Sequence, residues 1–382
     1  MRHAPRRFDV FCRVVDHYGD AGVALRLARL LVGEHAAEAT LWIDDAAVLA
    51  RLVGRTSVRD GDVHDGVRLR FVAAPGDDIA TADVVVEMFA CGLPERYLDA
   101  MERAAKPPVW LVVEYLSAEP WIDAAHALPS PHPVRPLQRW FLFPGFTSRS
   151  GGLLRERGIV EENRGIKGNA NARSDAWTSL GFPPPSDEAL FVSLFCYPNP
   201  TLPALLETWC TGPQRIACIV PEGVAGNEVA TLLGRAATAG ALATKGGLTL
   251  AVAPFVTQPA FDRRLAASDL CFVRGEDSFV RAQWAQTPFV WHAYPQSAGT
   301  HVVKLNAFLD RYVHDLDADS AAALRAFWLA FNDGDGAASA RAWPGFLQAL
   351  DSLRVHARSW ANALARQRDL ASKLVGFARD RL

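Results

Sequence analysis

The chain of 382 residues has no run of apolar residues near the roughly 18 that a membrane span needs, which removes that class. Its basic start, Met1 to Arg7, is followed by no apolar stretch, because Asp9 and Arg13 interrupt the first hydrophobic run, so no secretory leader is expected. It also lacks an excess of one charge: 40 basic residues face 42 acidic ones, for a net charge of -2. A general nucleic-acid binder would show a basic surplus, so no nucleic-acid partner is expected. The six cysteines, at 12, 91, 196, 210, 218 and 271, form no Cys-x-x-Cys, and most lie inside apolar runs. They read as small buried hydrophobes of a reducing, cytoplasmic protein, and no metal-ligand spacing joins them to the histidines. Gly-x-Gly-x-x-Gly is missing too, which excludes the dinucleotide fingerprint, and no Ser-His-Asp or Cys-His arrangement can be drawn.

What remains is a rhythm. Short apolar runs at 8–15, 39–43, 67–72, 84–88 and 109–114 read as strands, and the helical spacings at 21–33 and 95–105 read as helices between them. The rhythm breaks over 117–185, a Pro-, Gly- and Ser-rich connection in which 161–174 reads as a mobile loop. It resumes with strands at 190–196, 214–220, 248–252, 270–273 and 289–291 and helices at 201–210, 224–237, 258–267 and 278–285. The tail from Ser320 is helical, with breaks expected at 332–336 and at Pro344. Strand-helix alternation of this kind predicts an α/β chain of two doubly wound, Rossmann-like domains, with ligands at the carboxyl ends of the strands. A two-domain pair puts the site in the cleft between its members.

Four strand ends carry chemistry. Asp16-His-Tyr-Gly-Asp20 follows the first strand and opens the first helix, with Tyr18 and Gly19 between its two carboxylates. On spacing alone two readings stay open: Asp20 caps the helix and Asp16 sits in a turn, or one of them is a general base facing a cleft. Arg274-Gly-Glu-Asp-Ser278 joins an apolar strand to an amphipathic helix. A helix N-terminus attracts phosphate, Gly275 lets a ligand approach the backbone, and Arg274 and Ser278 add donors. Glu276 cannot take phosphate but can accept from sugar hydroxyls, and a plain cap with a surface ion pair is the plainer alternative. Phe195 and Tyr197 end one strand of the second half, and Phe255 and Gln258 follow another. Tyr197 is a phosphate contact or a rim tyrosine, and Phe255 a base-stacking ring or core. Glu114 and Tyr115 end a strand of the first half and so, like Tyr18 and Gly19, are expected at the cleft, and the string Trp291-His-Ala-Tyr-Pro-Gln296 reads as rim packing.

Four strings together resemble one family: Phe11-Cys-Arg-Val-Val-Asp-His-Tyr-Gly-Asp20; Glu114-Tyr-Leu-Ser-Ala-Glu119; Phe143-Pro-Gly-Phe-Thr147 with Gly151-Gly-Leu-Leu-Arg-Glu156; and Phe272-Val-Arg-Gly-Glu-Asp-Ser-Phe-Val-Arg-Ala-Gln-Trp284. They resemble EarP, the protein-arginine rhamnosyltransferases of bacterial elongation factor P, in order along nearly the whole chain. His17 departs from the asparagine expected at its position. The resemblance implies a GT-B fold and an inverting transfer of L-rhamnose from dTDP-β-L-rhamnose to an arginine of elongation factor P, activating it to relieve polyproline stalling, with no metal and no cofactor. It implies a catalytic role for Asp20, with Asp16 beside it. Tyr197, Arg274, Glu276, Asp277 and Ser278, with the Gly275 backbone, would hold the donor's diphosphate region, and Phe195, Phe255 and Gln258 the nucleoside. The implied domains are 1–178, joined by a helix at 358–382, for the acceptor, and 179–357 for the donor. The alternatives are a GT-B glycosyltransferase with another acceptor and a non-catalytic nucleotide-sugar binder.

Overall fold

A computed structural model describes residues 5–16, 18–72, 80–169, 171–296 and 299–382. The chain divides into two compact units, one of Met1–Arg157 with Ala365–Leu382 and one of Gly158–Leu364. The first contains β1 (Arg7–Cys12), α1 (Tyr18–His35), β2 (Glu38–Ile43), α2 (Ala46–Leu52), β3 (Val63–His64), β4 (Val67–Phe71), β5 (Val84–Met88), α3 (Glu95–Arg103), β6 (Val109–Val113), α4 (Ile122–Ala125), β7 (Leu128–Pro131) and β8 (Gln138–Leu142). The second contains α5 (Ile159–Gly168), α6 (Ala172–Thr178), β9 (Leu190–Leu194), α7 (Leu202–Thr211), β10 (Ile216–Pro221), α8 (Gly226–Leu233), β11 (Leu242–Lys245), β12 (Leu248–Ala253), α9 (Gln258–Ala267), β13 (Leu270–Arg274), α10 (Asp277–Trp284), β14 (Phe289–His292), α11 (Thr300–Tyr312), α12 (Ala318–Asn332), α13 (Gly336–Gln348) and α14 (Leu350–Ala365). Helix α15 (Leu370–Arg379) returns to the first unit.

The first sheet runs β3-β4-β2-β1-β5-β6-β8-β7, parallel from β4 to β8 with an antiparallel strand at each edge. The second runs β11-β12-β10-β9-β13-β14, parallel except for β11. In both, the strand order reverses beside the first strand of the unit. The crevice where ligands of such sheets bind therefore opens at the ends of β1 and β5 in one unit, and of β9 and β13 in the other. The inner strands β5, β6 and β9 are buried at every residue, as strands covered on both faces must be.

Three stretches differ from expectation. Residues 161–174 are not a mobile loop: they belong to α5 and α6, apart from the short connection between them. Burial decides this, since Ile159, Val160 and Asn163 are buried, the Asn163 amide donates to the Trp284 carbonyl at 2.9 Å, and Trp177 is wholly buried against Phe182 and Phe191. Tertiary packing outweighs the low helix propensity of Gly and Asn. Both helices thus belong to the second unit, which begins at Gly158 rather than after 178. Within the Pro-rich connection, β7 and β8 form a hairpin that extends the first sheet. Pro129 and Pro131 are tolerated because β7 is an edge strand. At the tail, the break at 332–336 separates α12 from α13, but α13 runs on through Pro344. The neighbouring Trp343 and Phe346 pack on Phe327 at 5.3 and 4.8 Å, which offsets an interior proline's cost of about 3 kcal/mol.

All six cysteines are unpaired, and five of them are buried. No helix among the described residues is long and apolar enough to cross a membrane.

Helices α9 and α10 are joined by a buried ion pair, Arg281 to Asp262 at 2.9 Å, whose side chains are 2% and 8% exposed. Removing one partner strands a charge away from water. Asp262→Ala should lower the unfolding free energy by about 3–5 kcal/mol, seen as a lower denaturant midpoint at unchanged slope, while an apolar replacement of both partners should recover most of it.

Candidate active site

In the first unit the site begins where β1 stops. The backbone leaves Cys12, and the Gly19 N–H donates to the Asp16 carbonyl at 2.7 Å, which starts the turn. Helix α1 then opens at Tyr18, earlier than the sequence suggests. Asp20 therefore lies inside the first turn and does not cap it. Its Oδ2 instead reaches back to accept from the Val15 and Asp16 N–H groups, at 3.0 and 2.8 Å. The strand's end leaves these two donors with no neighbouring strand to accept them, and a carboxylate in the first helical turn also suits the helix dipole.

The other carboxylate oxygen, Oδ1, has the Tyr115 hydroxyl at 3.4 Å, and Asp20 is only 3% exposed. Burial pushes its carboxyl above the usual aspartate range, against the two backbone donors, which pull it down. Such a carboxylate accepts a proton more readily than an exposed one. Asp16 is half-buried beside it, and a Cβ at Gly19 would come within 2.9 Å of its Oδ2, so glycine is what lets the Asp16 carboxylate lie there. Tyr115 is stacked on Phe89 at 4.2 Å, and Phe89 and Ala90 turn the end of β5 through positive φ. The structure thus gathers Asp16, Gly19, Asp20 and Tyr115. Tyr18 lies under the Arg51 guanidinium at 5.9 Å, and half-buried Glu114 follows β6 with its N–H on the Leu142 carbonyl. His17 lies outside the described residues.

In the second unit, β13 ends at Arg274 and the chain turns through Gly275 at φ +61° into α10. The Ser278 hydroxyl donates to the Arg274 carbonyl at 2.5 Å and accepts from the Arg274 N–H at 3.0 Å. Its one proton is used within the turn, so Ser278 gives the site the shape of the loop. Glu276 makes no side-chain capping bond, and the first-turn N–H groups of a helix have no partner within it. The Asp277 carboxylate accepts from the Gln258 amide at 3.0 Å, which ties the turn to α9.

Arg274 is held from several directions. Its guanidinium lies 4.4 Å from the Phe195 ring centre and 4.7 Å from that of Tyr197, and it donates to the Cys196 carbonyl at 3.1 Å. A planar cation gripped by two π faces and a carbonyl is pre-oriented, with its remaining donors set in direction. Phe255 is half-buried two residues beyond β12.

Three supports were not legible as such. The Trp291 indole donates to the Gly275 carbonyl at 2.9 Å, Tyr294 packs edge-on against Tyr197 at 5.2 Å, and His292 does so at 5.4 Å. Their string was visible as aromatic rim, but not the hydrogen bond. Burial, with Arg274 and His301 adding to it, drives the His292 imidazole down to about 4. It is therefore neutral near pH 7 and adds no charge beside Arg274. Phe89 carried no signal, because nothing in a Phe-Ala pair announces positive φ. Among the described residues no group of three or more His, Cys, Asp or Glu is placed to hold a metal ion.

Two Rossmann-like, doubly wound units in one chain are the architecture of the GT-B glycosyltransferases. The fold is similar to that of MurG from Acinetobacter baumannii (TM-score 0.51, 11% identity, 98% of this chain and 100% of that one). It is also similar to the spinosyn rhamnosyltransferase SpnG (TM-score 0.50, 12% identity, 98% and 99%).

Within that class, the chain belongs to the family of EarP, the elongation-factor P (EF-P) rhamnosyltransferase, whose model matches residues 8–379. It is 45% identical to the protein-arginine rhamnosyltransferase of Pseudomonas aeruginosa over 375 residues, 98% of this chain and 99% of that one. The corresponding protein of Pseudomonas putida is 43% identical, with 98% and 99% covered. A solved structure described as the structural basis for EarP-mediated arginine glycosylation of translation elongation factor EF-P matches at TM-score 0.70 and 34% identity, over 98% of this chain and 99% of that one. The activity is thus rhamnosyl transfer to protein arginine.

The Tyr115 hydroxyl helps hold the Asp20 carboxyl down against burial. Carbon-13 NMR should show Asp20 titrating above exposed aspartates in the same spectrum, and Tyr115→Phe should raise it further. A fall on that substitution would contradict the geometry.

Proposed function

We propose that the chain moves L-rhamnose from dTDP-β-L-rhamnose to one arginine of elongation factor P by a single inverting displacement, in the cytoplasm and without a metal. The observation that carries this reading is the buried Asp20 carboxylate, which combines a raised affinity for protons with an Oδ1 that, among the described residues, is contacted weakly by Tyr115. Guanidinium is protonated at cellular pH and its lone pairs are delocalised, so it becomes a nucleophile only if held and relieved of a proton. Asp20 and Asp16 would clamp the cation. As the nitrogen–carbon bond forms and the anomeric carbon–oxygen bond to dTDP breaks, one N–H proton passes to Asp20 Oδ1.

The charge that develops on the leaving diphosphate calls for a fixed cation and helix N–H groups. Arg274, pinned by Phe195 and Tyr197, and the first turn of α10 supply these. In this reading the unit of 1–157 and 365–382 takes the acceptor, and the unit of 158–364 takes the donor. Glu276, Asp277 and Gln258 position the sugar and nucleoside, Phe255 offers a stacking face, and Ser278 and Gly275 shape the turn. Tyr18, Gly19, Glu114 and Tyr115 frame the acceptor arginine.

Two variants separate the halves. Asp20→Asn should lower the turnover of purified elongation factor P by about a thousandfold, followed as the rhamnose mass increment, with dTDP affinity within a factor of two of wild type by calorimetry. Arg274→Ala should weaken dTDP by about tenfold or more. An Asp20→Asn enzyme that still modifies the factor, or one that no longer binds dTDP, removes Asp20 from the role of base.

A further inference from the structure

The opposite edge of the second sheet has a cavity that the transfer reaction does not use. It has a volume of about 320 Å³ and lies against Ser268, Asp269 and Pro288, at the amino ends of β13 and β14. Five residues of β13 at about 3.3 Å each put it roughly 16 Å from the Arg274 turn. The elements around it are the end of α5, the start of α6, the connection from α9 into β13, and α14.

Four cations line this cavity, Lys167, Arg173, Arg354 and Arg358, against one carboxylate, Asp269. The whole chain is nearly balanced, at 40 basic to 42 acidic residues, so the local excess is not inherited from composition. Asp269 is already committed. It accepts from the Phe191 N–H at 2.8 Å and pairs with Arg173 at 3.5 Å and Arg354 at 3.9 Å. Arg173 also donates to the Ala189 carbonyl, and Arg354 reaches the exposed Asp351 at 2.6 Å. Two cations are left over. Lys167 donates to a neutral acceptor, the Ser268 carbonyl, at 3.3 Å. Arg358 has no ion-pair partner among the described residues.

A lysine on a free surface turns its ammonium to water. Lys167 is half-buried, with its ammonium on the Ser268 carbonyl, and desolvation holds it down to about 8, Arg358 and Arg354 adding to the effect against Cys271 and Asp269. Leaving an ammonium desolvated among like charges costs free energy, and a bound anion would remove that cost. The walls include Ile166, Ala266, Ala267 and Pro288, so an apolar fragment can accompany the charge. The volume is at the lower end of that of small-molecule sites and exceeds what one ion needs.

We propose that this cavity is a second anion site, built by Lys167, Arg173, Arg354 and Arg358 for a small phosphate-bearing ligand and separate from the Arg274 turn. The proposal does not depend on how the donor is held. Calorimetric titration of the full chain with inorganic phosphate, and separately with glycerol 3-phosphate, tests it at constant ionic strength and with dTDP present throughout. Saturable binding is expected for at least one probe, and the tighter of the two shows whether free phosphate or a phosphoester is the natural class. Arg358→Gln, at an exposed position, and Lys167→Gln should each weaken that binding by about tenfold, with rhamnosyl transfer retained. Arg274→Ala should leave it unchanged. No saturable binding at millimolar probe, binding as tight as wild type in both cavity variants, or loss of binding in Arg274→Ala instead, overturns the assignment.

Discussion

Where a parallel strand ends, its last backbone groups lose the neighbour that would have paired with them, and something else must take that place. At the end of β1 the substitute is Asp20, which reaches back from the first turn of α1 to two N–H groups. At the end of β13 it is Ser278, which reaches back from the first turn of α10 to the N–H and carbonyl of Arg274. Both strands lie beside the reversal of strand order in their sheet. One local device, a polar side chain in the first helical turn folded back onto the strand end, therefore fixes both chemical groups. In one unit the side chain that closes the turn is itself the carboxylate we propose as the base. In the other, closing the turn aims the residue before it.

Burial acts in opposite senses on an acid at one strand end and an imidazole at the other. Desolvation makes Asp20 a stronger base. Around Arg274 it acts on the neighbour instead: His292 is kept neutral, so the guanidinium is the charge that matters at that strand end. The aromatic faces of Phe195 and Tyr197 hold the Arg274 guanidinium, and among the described residues no carboxylate pairs with it to compete with a phosphate.

The strands and most helices were legible because alternating apolar runs and 3.6-residue spacings report burial directly, and the doubly wound class followed from their order. What was not legible depended on packing at a distance. The 161–174 stretch reads as loop by composition, yet Trp177 and Asn163 bind it to the second sheet and α10, and neither contact leaves a local trace. Pro344 announces a break that the rings of Trp343 and Phe346 overrule. At the site, Asp20 and Arg274 stood out by type and position. The supports, Phe89 and the Trp291 indole, did not, because a positive φ in a Phe-Ala pair and a bond to a distant carbonyl arise only in the folded chain.

The first unit is discontinuous, and this bears on how the molecule is made. Helix α15 is bound into that unit by the Leu370 N–H on the Leu153 carbonyl and by Lys373 on the Ser150 carbonyl. Gly152 fits beneath the Arg368 carbonyl, where a Cβ would come within 2.7 Å. During synthesis, residues 1–157 leave the ribosome long before these partners exist, and all of Gly158–Leu364 is made in between. At about 10 residues per second the interval is on the order of 20 s. For that time the surface on which Leu370 and Leu374 of α15 become buried is uncovered, while the second unit has all of its own chain and can close first. The unit encoded first is thus the one completed last.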